Sequence, residues 1–429
     1  LTLQSTSGKI NLKIKERDAM KLIKNFLSFI TAAACCAAIS GIMPFSSSAE
    51  ASATYGDLSY TTVDSDGDGT DDYVEITDCY ESVTEIEIPA EIEGLPVTTI
   101  GRLAFYNCDL IKEFNIPNNI TTIKDSAIAC CDKLKRVSIP ESVIYIGDEA
   151  FAGNFFKEIS VSENNNYYCS CNGALFNKDM TFLIEYAVQN GVIDYVVPES
   201  VTSIGSCAFM GCNTLKSIKL PENLKLIEDS TFYYCSKLES INIPNGVTSI
   251  GSQAFKDCHN LKSVSISDTV TKIGRSAFSN CSSLTMIKLP ESVSLIVVSA
   301  FENCSTLSAI IIENPACSFM GDYTIYNFKD QNENYVFNGT IYGYENSTAQ
   351  TYAEKYNRNF VSLGEYTETL IGDISGNGEI DLYDAIEIAK AIMGMRTFTE
   401  EEKLIADFNK DGTVDLYDAI EIARTLLPK

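Results

Sequence analysis

The sequence predicts a repeat solenoid of short β-strands, turns and short helices, followed by a small all-α module carried on two acidic loops. The first observation is a column of phenylalanines: Phe105, Phe151, Phe209, Phe232, Phe255, Phe278 and Phe301, with Ile128 standing in once. Neighbouring members lie 23 residues apart except between Phe151 and Phe209. The second is the phrase around that column, VTSIGSCAFMGCNTLKSIKLP at Val201–Pro221 and VTSIGSQAFKDCHNLKSVSI at Val247–Ile266. The third is DLYDAIEIA, present at Asp381–Ala389 and again at Asp415–Ala423, each time after an acidic, glycine-containing loop.

The leader comes first. Residues 1–19 precede Met20 and read as a mis-called translation start. Residues 20–51 read as a secretory signal peptide: Lys21 and Lys24 form a basic start, Phe26–Met43 is apolar, and Ala49-Glu50-Ala51 matches a small-residue cleavage site. Ala51-Ser52-Ala53 offers a second cut. An 18-residue apolar run is also long enough for a membrane anchor, but the cleavage site and the lack of a basic flank after it favour removal. The mature protein is expected to be exported, with no membrane insertion after cleavage. Six basic and three acidic side chains lie in residues 1–53, so the rest is more acidic than the −26 of the whole chain. Such a surface repels phosphate backbones and anionic lipids, so no nucleic-acid partner is expected.

Residues 54–96 form an N-terminal cap, because a terminal repeat must cover an otherwise exposed apolar edge. Within it Asp64, Asp66, Asp68, Asp72 and Glu75 match positions 1, 3, 5, 9 and 12 of a calcium loop. A third calcium at 64–75 is one reading, and a tight acidic turn between two strands is the simpler one. The repeats occupy residues 97–312, with an irregular insertion at 162–196. In each repeat Leu215, Ile218 and Leu220, or their equivalents, alternate inward on one strand. Val201 and Ile204 point inward on the next leg, Gly205 allows a bend, and Phe209 fills the coil. Three residues after the column stand Cys108, Cys131, Cys212, Cys235, Cys258, Cys281 and Cys304, with Asn154 once. One cysteine per repeat at an inward slot is explained by packing as free thiols. Cys169 and Cys171, in the insertion, are the better disulfide candidates. Residues 313–361 close the array with a C-terminal capping helix, and residues 362–369 are a linker.

The last module, residues 370–429, places Asp373, Ser375, Asn377, Asp381 and Asp384 at loop positions 1, 3, 5, 9 and 12, with Gly378 at 6. The second loop repeats this with Asp407, Asn409, Asp411, Asp415 and Asp418, and Gly412 at 6. Calcium takes six to eight oxygen ligands from such a loop, position 7 contributing a main-chain carbonyl, here Glu379 and Thr413. Two calcium ions are therefore expected. Thirteen acidic and six basic side chains share this segment, so ion binding should supply folding energy. Helices are expected from about Leu382 to Met393, after the capping box Thr399/Glu402, and from about Leu416. Ile386 with Ala389, and Ile420 with Ala423, are expected in the core.

The 23-residue phrase with its IP, IG, AF and C-x-x-L elements resembles the BspA-like leucine-rich repeats of bacterial surface proteins. That resemblance covers about 300 residues and implies a non-catalytic solenoid used for adhesion or ligand binding. The last 60 residues resemble a dockerin, down to aspartate at position 12 in Asp384 and Asp418. Dockerins plug proteins into the cohesin modules of a scaffoldin, forming the cellulosome of plant-fibre degraders. This implies a scaffoldin cohesin as partner, with Leu382 and Tyr383, mirrored by Leu416 and Tyr417, selecting it. Lys390 and Arg424 extend that patch with positive charge. Ser375 departs from the usual Asn or Asp at position 3, and its hydroxyl is a weaker ligand.

The expected function is a secreted, non-catalytic accessory protein, cell-surface or cellulosome associated. It presents a leucine-rich-repeat surface for adhesion or binding in polysaccharide degradation. The alternative is a cellulosomal polysaccharide hydrolase or another enzyme with an unrecognised active site. Against it, the chain has no tryptophan for a sugar cleft, no GxSxG and no P-loop. The only histidine, His259, occupies a turn slot where other repeats carry Asp109, Asn213 or Ser236. The solenoid's own ligand is an unknown protein or glycan. Its outward strand residues, such as Asn115, Ser138, Ser240 and Asn242, are small and polar and suit a protein surface.

Overall fold

The structure is a computed structural model, and it describes residues 53–80, 82–321, 323–329, 331, 334–366, 372–375 and 379–426. Residues 1–19, the signal segment 20–51, Asn377 and Gly378 lie outside the described residues. The chain forms two compact units, Leu1–Gly364 and Glu365–Lys429.

In the first unit, short strands stack in parallel at the repeat spacing. One ladder runs through Leu226–Ile227, Ser249–Ile250, Lys272–Ile273, Leu295–Val297 and Ser318–Met320. A second side pairs Ser240 with Ser263, and Met286 with Ala309 and then Thr340. In these ladders each rung thus pairs with the residue 23 positions earlier, except at the closing strand, where Thr340 stands 31 residues after Ala309. Inward positions alternate with outward ones, and Leu215, Ile218 and Leu220 are buried as the alternation requires. The column rings fill the coil: Phe209, Phe232, Phe255, Phe278 and Phe301 stack with centroids 5.2, 5.3, 5.3 and 5.7 Å apart. The last three pairs are within 6° of parallel.

The cysteine column is buried and its thiols are free. Several also have a hydrogen-bonding role. Cys235, Cys258, Cys281 and Cys304 donate to the carbonyls of Phe209, Phe232, Phe255 and Phe278 at 3.0–3.2 Å. Asn154, the one substitute, reaches the equivalent carbonyl of Ile128 through its amide at 2.6 Å. What this slot selects is a small donor, which explains both residue types. Glycine after the inward isoleucine has a steric cause. A Cβ on Gly251 would stand 2.6 Å from the Asp229 carboxylate of the preceding rung, and on Gly147 2.3 Å from that of Asp125. Non-glycine residues flank the column in the left-handed conformation, Ser230 and Tyr234 around Phe232, Gln253 and Asp257 around Phe255.

The insertion is not irregular. Tyr168–Cys171, Ala174–Asn177 and Phe182–Tyr186 form an antiparallel meander, and the last strand pairs in parallel with Ser203–Ile204. Asn172 (φ 50°) and Gly173 (φ 83°) make the two-residue turn that an Asn-Gly pair favours. Alternate meander residues enter two neighbouring cores, Leu175 one and Phe176 the other. Cys169 and Cys171 carry free thiols, which corrects the expected bridge.

At the N-terminal end Leu58–Val63 and Tyr73–Cys79 pair antiparallel, and the latter passes the ladder on in parallel to Leu95–Ile100. At the other end helix α1, Thr348–Lys355, is capped by Ser347 and buries Ala349, Tyr352 and Ala353. The Tyr352 ring stacks on Phe319 at 4.4 Å, closing the apolar end of the ladder.

The second unit holds α2 (Leu382–Ile392), α3 (Glu400–Ala406) and α4 (Leu416–Thr425). Thr399 and Glu402 form the expected capping box. The core is Ile374, Ala385, Ile388, Phe398, Ala406, Ala419 and Ile422. This corrects the expected helix face. Ile386 and Ile420 are exposed, while Ala389 and Ala423 are half-buried. The carboxylates of Asp384 and Asp418 must turn into their loops, so the residues one and four positions later share the buried face.

Candidate metal centre and docking face

The two acidic loops are organised by the helices they precede. Asp381 is the N-cap of α2 and Asp384 its third residue; Asp415 and Asp418 repeat this at α4. Asp384 accepts main-chain N–H bonds from Ser375 (2.9 Å) and Asp381 (2.7 Å), one on each carboxylate oxygen. Asp418 accepts from Asn409 (3.0 Å) and Asp415 (2.8 Å) in the same way. Positions 3, 9 and 12 are therefore tied together in both loops.

Positions 1 and 5 complete the second loop. Asp407 accepts from the N–H groups of Asp411 (3.0 Å) and Gly412 (2.9 Å), and Gly412 has φ +88°. Asp411 accepts from the N–H (2.9 Å) and hydroxyl (2.6 Å) of Thr413, and from the Asn409 amide at 3.0 Å. The Thr413 hydroxyl and N–H, then the Asn409 amide, hold the Asp411 carboxyl below the ordinary aspartate range. In the first loop the Ser375 hydroxyl donates to Asp373 at 3.1 Å, and Glu379 occupies position 7.

This donor set fits calcium. Its side chains offer only hard oxygens, apart from the amide nitrogens of Asn377 and Asn409. Asp384 and Asp418 are fully buried, and neither forms an ion pair among the described residues. A buried carboxylate needs a compensating charge, and N–H dipoles alone supply only part of it. The capping boxes account for positions 9 and 12. Positions 1, 3 and 5 of the second loop are held by loop hydrogen bonds, and theirs are the side-chain oxygens a cation would recruit. No three tail carboxylates lie within 4.8 Å of one another among the described residues.

The trio that does converge to that distance is Asp64, Asp66 and Asp72. Its oxygens serve the turn between two strands: Asp64 accepts from Gly67 (2.7 Å) and Gly69 (2.8 Å), Asp72 from Ser65 (2.8 Å), and Asp68 from Thr70 (2.8 Å). Glu75, at position 12, is drawn away into an ion pair with Lys124 at 2.6 Å. These bonds fit a tight acidic turn, and Asp64, Asp66 and Asp72 also converge closely enough for a cation.

The residues expected to dock stand outside the tail core in near-equal pairs. Leu382 and Leu416 are 60% and 57% exposed, Tyr383 and Tyr417 70% and 67%. Ile386 and Ile420 (41% and 36%) extend the same face one helical turn onward, a contribution missed by placing them in the core. Lys390 is exposed and pairs with Glu387 at 2.6 Å, and Arg424 pairs with Glu421. The two copies match in exposure and capping, while Glu387 of the first also pairs with Arg396.

Comparison with known proteins agrees with this division. The family described as BspA type Leucine rich repeat region matches in six copies over residues 77–190, 185–308 and 225–348. The Dockerin type I domain matches residues 371–427. Among solved structures the chain is similar to the pneumococcal vaccine antigen PcpA, at 16% identity and TM-score 0.44, covering 72% of this chain and 98% of that one. A leucine-rich repeat protein from Eubacterium ventriosum matches at 20% identity and TM-score 0.42, covering 59% and 88%. One from Bacteroides ovatus matches at 22% and 0.42, covering 68% and 70%. No curated protein matches the chain. Both matched families are non-catalytic domain types. The chain belongs to the BspA-type leucine-rich repeat proteins and carries a dockerin type I domain after its solenoid.

Proposed function

We propose that this protein is a secreted, non-catalytic accessory protein that docks onto a scaffoldin cohesin and presents its solenoid as a binding surface during polysaccharide degradation. The observation that supports this reading is the duplicated exposed patch, Leu382, Tyr383 and Ile386 with Leu416, Tyr417 and Ile420, set on two helices whose first turns close the two acidic loops. Exposed leucine, isoleucine and tyrosine side by side are costly to leave in water and typical of interface anchors.

Asp373, Ser375, Asn377, Asp381 and Asp384 would hold one calcium with the main chain of Glu379, and Asp407, Asn409, Asp411, Asp415 and Asp418 a second with that of Thr413. Bound calcium supplies positive charge that offsets the gathered carboxylates. The chain's part is to fix the patch: position 9 caps the helix and position 12 ties the loop to its first turn, so loop order sets where Leu382 and Leu416 stand.

Because the copies match, either patch should serve. Leu382→Ala with Tyr383→Ala should leave cohesin affinity within about threefold, and so should the pair Leu416→Ala with Tyr417→Ala. All four together should abolish binding in isothermal titration with calcium present. Loss of binding on changing the first pair alone would overturn the two-way reading. The outward rows Glu113, Arg136 and Asn115, Ser138 are exposed and polar, which supports a protein ligand for the solenoid. Retention on plant polysaccharide, with none on bacterial surface proteins, would reverse that assignment.

A further inference from the structure

Ten of the thirteen described free cysteines are buried, Cys130 and Cys169 are half-buried, and Cys171 is exposed. Cys169 and Cys171 stand on one short strand, Tyr168–Cys171, with a single residue between them, so their side chains share a face. The Asn172-Gly173 turn locks the register, placing Cys169 opposite Phe176 and Cys171 opposite Ala174, both fully buried. The Cys169 thiol contacts the carbonyl of Asn177 at 3.5 Å; partial burial raises it above the ordinary thiol, and the nearby Lys178 charge offsets part of that rise.

Spacing decides what such a pair can do. Residues i and i+2 of a strand are about 6.6 Å apart, and their Cβ atoms stay near that separation. A disulfide needs Cβ atoms about 3.5–4.5 Å apart, so a direct bond would break the strand. A thiolate–metal bond is about 2.3 Å long, so one ion between two sulfurs spans about 4.6 Å. Two Cβ–Sγ bonds leaning toward each other from this strand can close to that distance.

We propose that Cys169 and Cys171 form a dithiolate site for one soft monovalent cation of the copper(I) type. Thiolate sulfur selects such ions over the hard calcium of the tail. Two S–H bonds break, two S–Cu bonds form, both protons pass to water, and no atom changes oxidation state. The centre carries one net negative charge, which the Lys178 ammonium offsets. The column thiols are not alternatives, because each is sealed in the dry core.

The test uses the full chain, calcium-loaded, reduced and free of oxygen, with copper(I) supplied on a coloured competing chelator. One equivalent should leave the chelator. Cys169→Ser and Cys171→Ser should each weaken that binding by at least about 100-fold, the upper end of the loss seen when only an outer partner of a metal site is removed. Independently of any variant, copper(I) should protect both cysteines of the unaltered protein from alkylation, read by peptide mass spectrometry. No copper withdrawn, unchanged affinity in either single variant, or undiminished alkylation of both residues would overturn the site.

Discussion

A thiol packed against a carbonyl oxygen in a dry interior gives up its proton with difficulty. Burial pushes Cys304 from 9.0 up to about 12, and Cys235 and Cys281 are also raised well above the ordinary thiol, chiefly by desolvation. The unfolded chain therefore loses these protons first, binds fewer of them than the folded one, and gains on it as pH rises. Solenoid stability should be level below about pH 9 and fall from there towards pH 12, by about 1.4 kcal/mol per unit for each column thiol. Urea midpoints across that range check it, and a flat profile would count against buried, protonated thiols. In the tail, the hydroxyl of Ser375 is a weaker ligand than an amide oxygen. Calcium should fill the second loop before the first, and Ser375→Asn should bring the two steps of a titration together. The cysteine column was legible in the sequence as packing. Its donor role was not, because only the structure shows Asn154 reaching the carbonyl that a thiol reaches elsewhere.

At the scale of one rung, two constraints oppose each other. The turn around each phenylalanine forces left-handed backbone on residues that are not glycine, at a cost of about 1–2 kcal/mol for each. Gln253 is such a residue at φ 56°, is buried, and leaves its side-chain oxygen without a hydrogen-bond partner. Gln253→Gly should therefore stabilise the solenoid, by about 1 kcal/mol in thermal or urea unfolding. Gly251, two residues earlier, should behave oppositely. Gly251→Ala drives a methyl into the Asp229 carboxylate and main chain and should cost about 1–3 kcal/mol. A variant as stable as the parent would show that the rungs part easily. The strand and phenylalanine periodicity of these rungs is readable because period and alternation are local properties. The meander at 162–196 is not, since its strands pair outside the 23-residue frame and its Asn-Gly turn is the one local clue. The helix face in the tail was misread for a related reason. Hydrophobic spacing alone admits two faces, and the buried aspartates at position 12 choose between them.

On the scale of the whole molecule, the two units hold together by different physics. The solenoid relies on stacked apolar layers, whereas the tail has a core of seven buried residues among those described and an excess of negative charge. Chelation of calcium should abolish the tail's helical signal and cohesin binding together, while the solenoid's unfolding transition keeps its midpoint. Calorimetry with and without chelator separates the two, and a single shared transition that moves as one would refute independent units.

The in-register stacking of identical rungs also bears on how such a chain changes over generations. Phe232, Phe255 and Phe278 each meet a neighbour through nearly the same ring geometry. Excising 23 residues between equivalent points brings two surfaces together that already match, and duplicating them inserts a copy that fits on both sides. Unequal recombination between repeats can thus lengthen or shorten the array without passing through a misfolded ancestor. The number of rungs, and with it the reach of the displayed face, is open to selection one whole layer at a time.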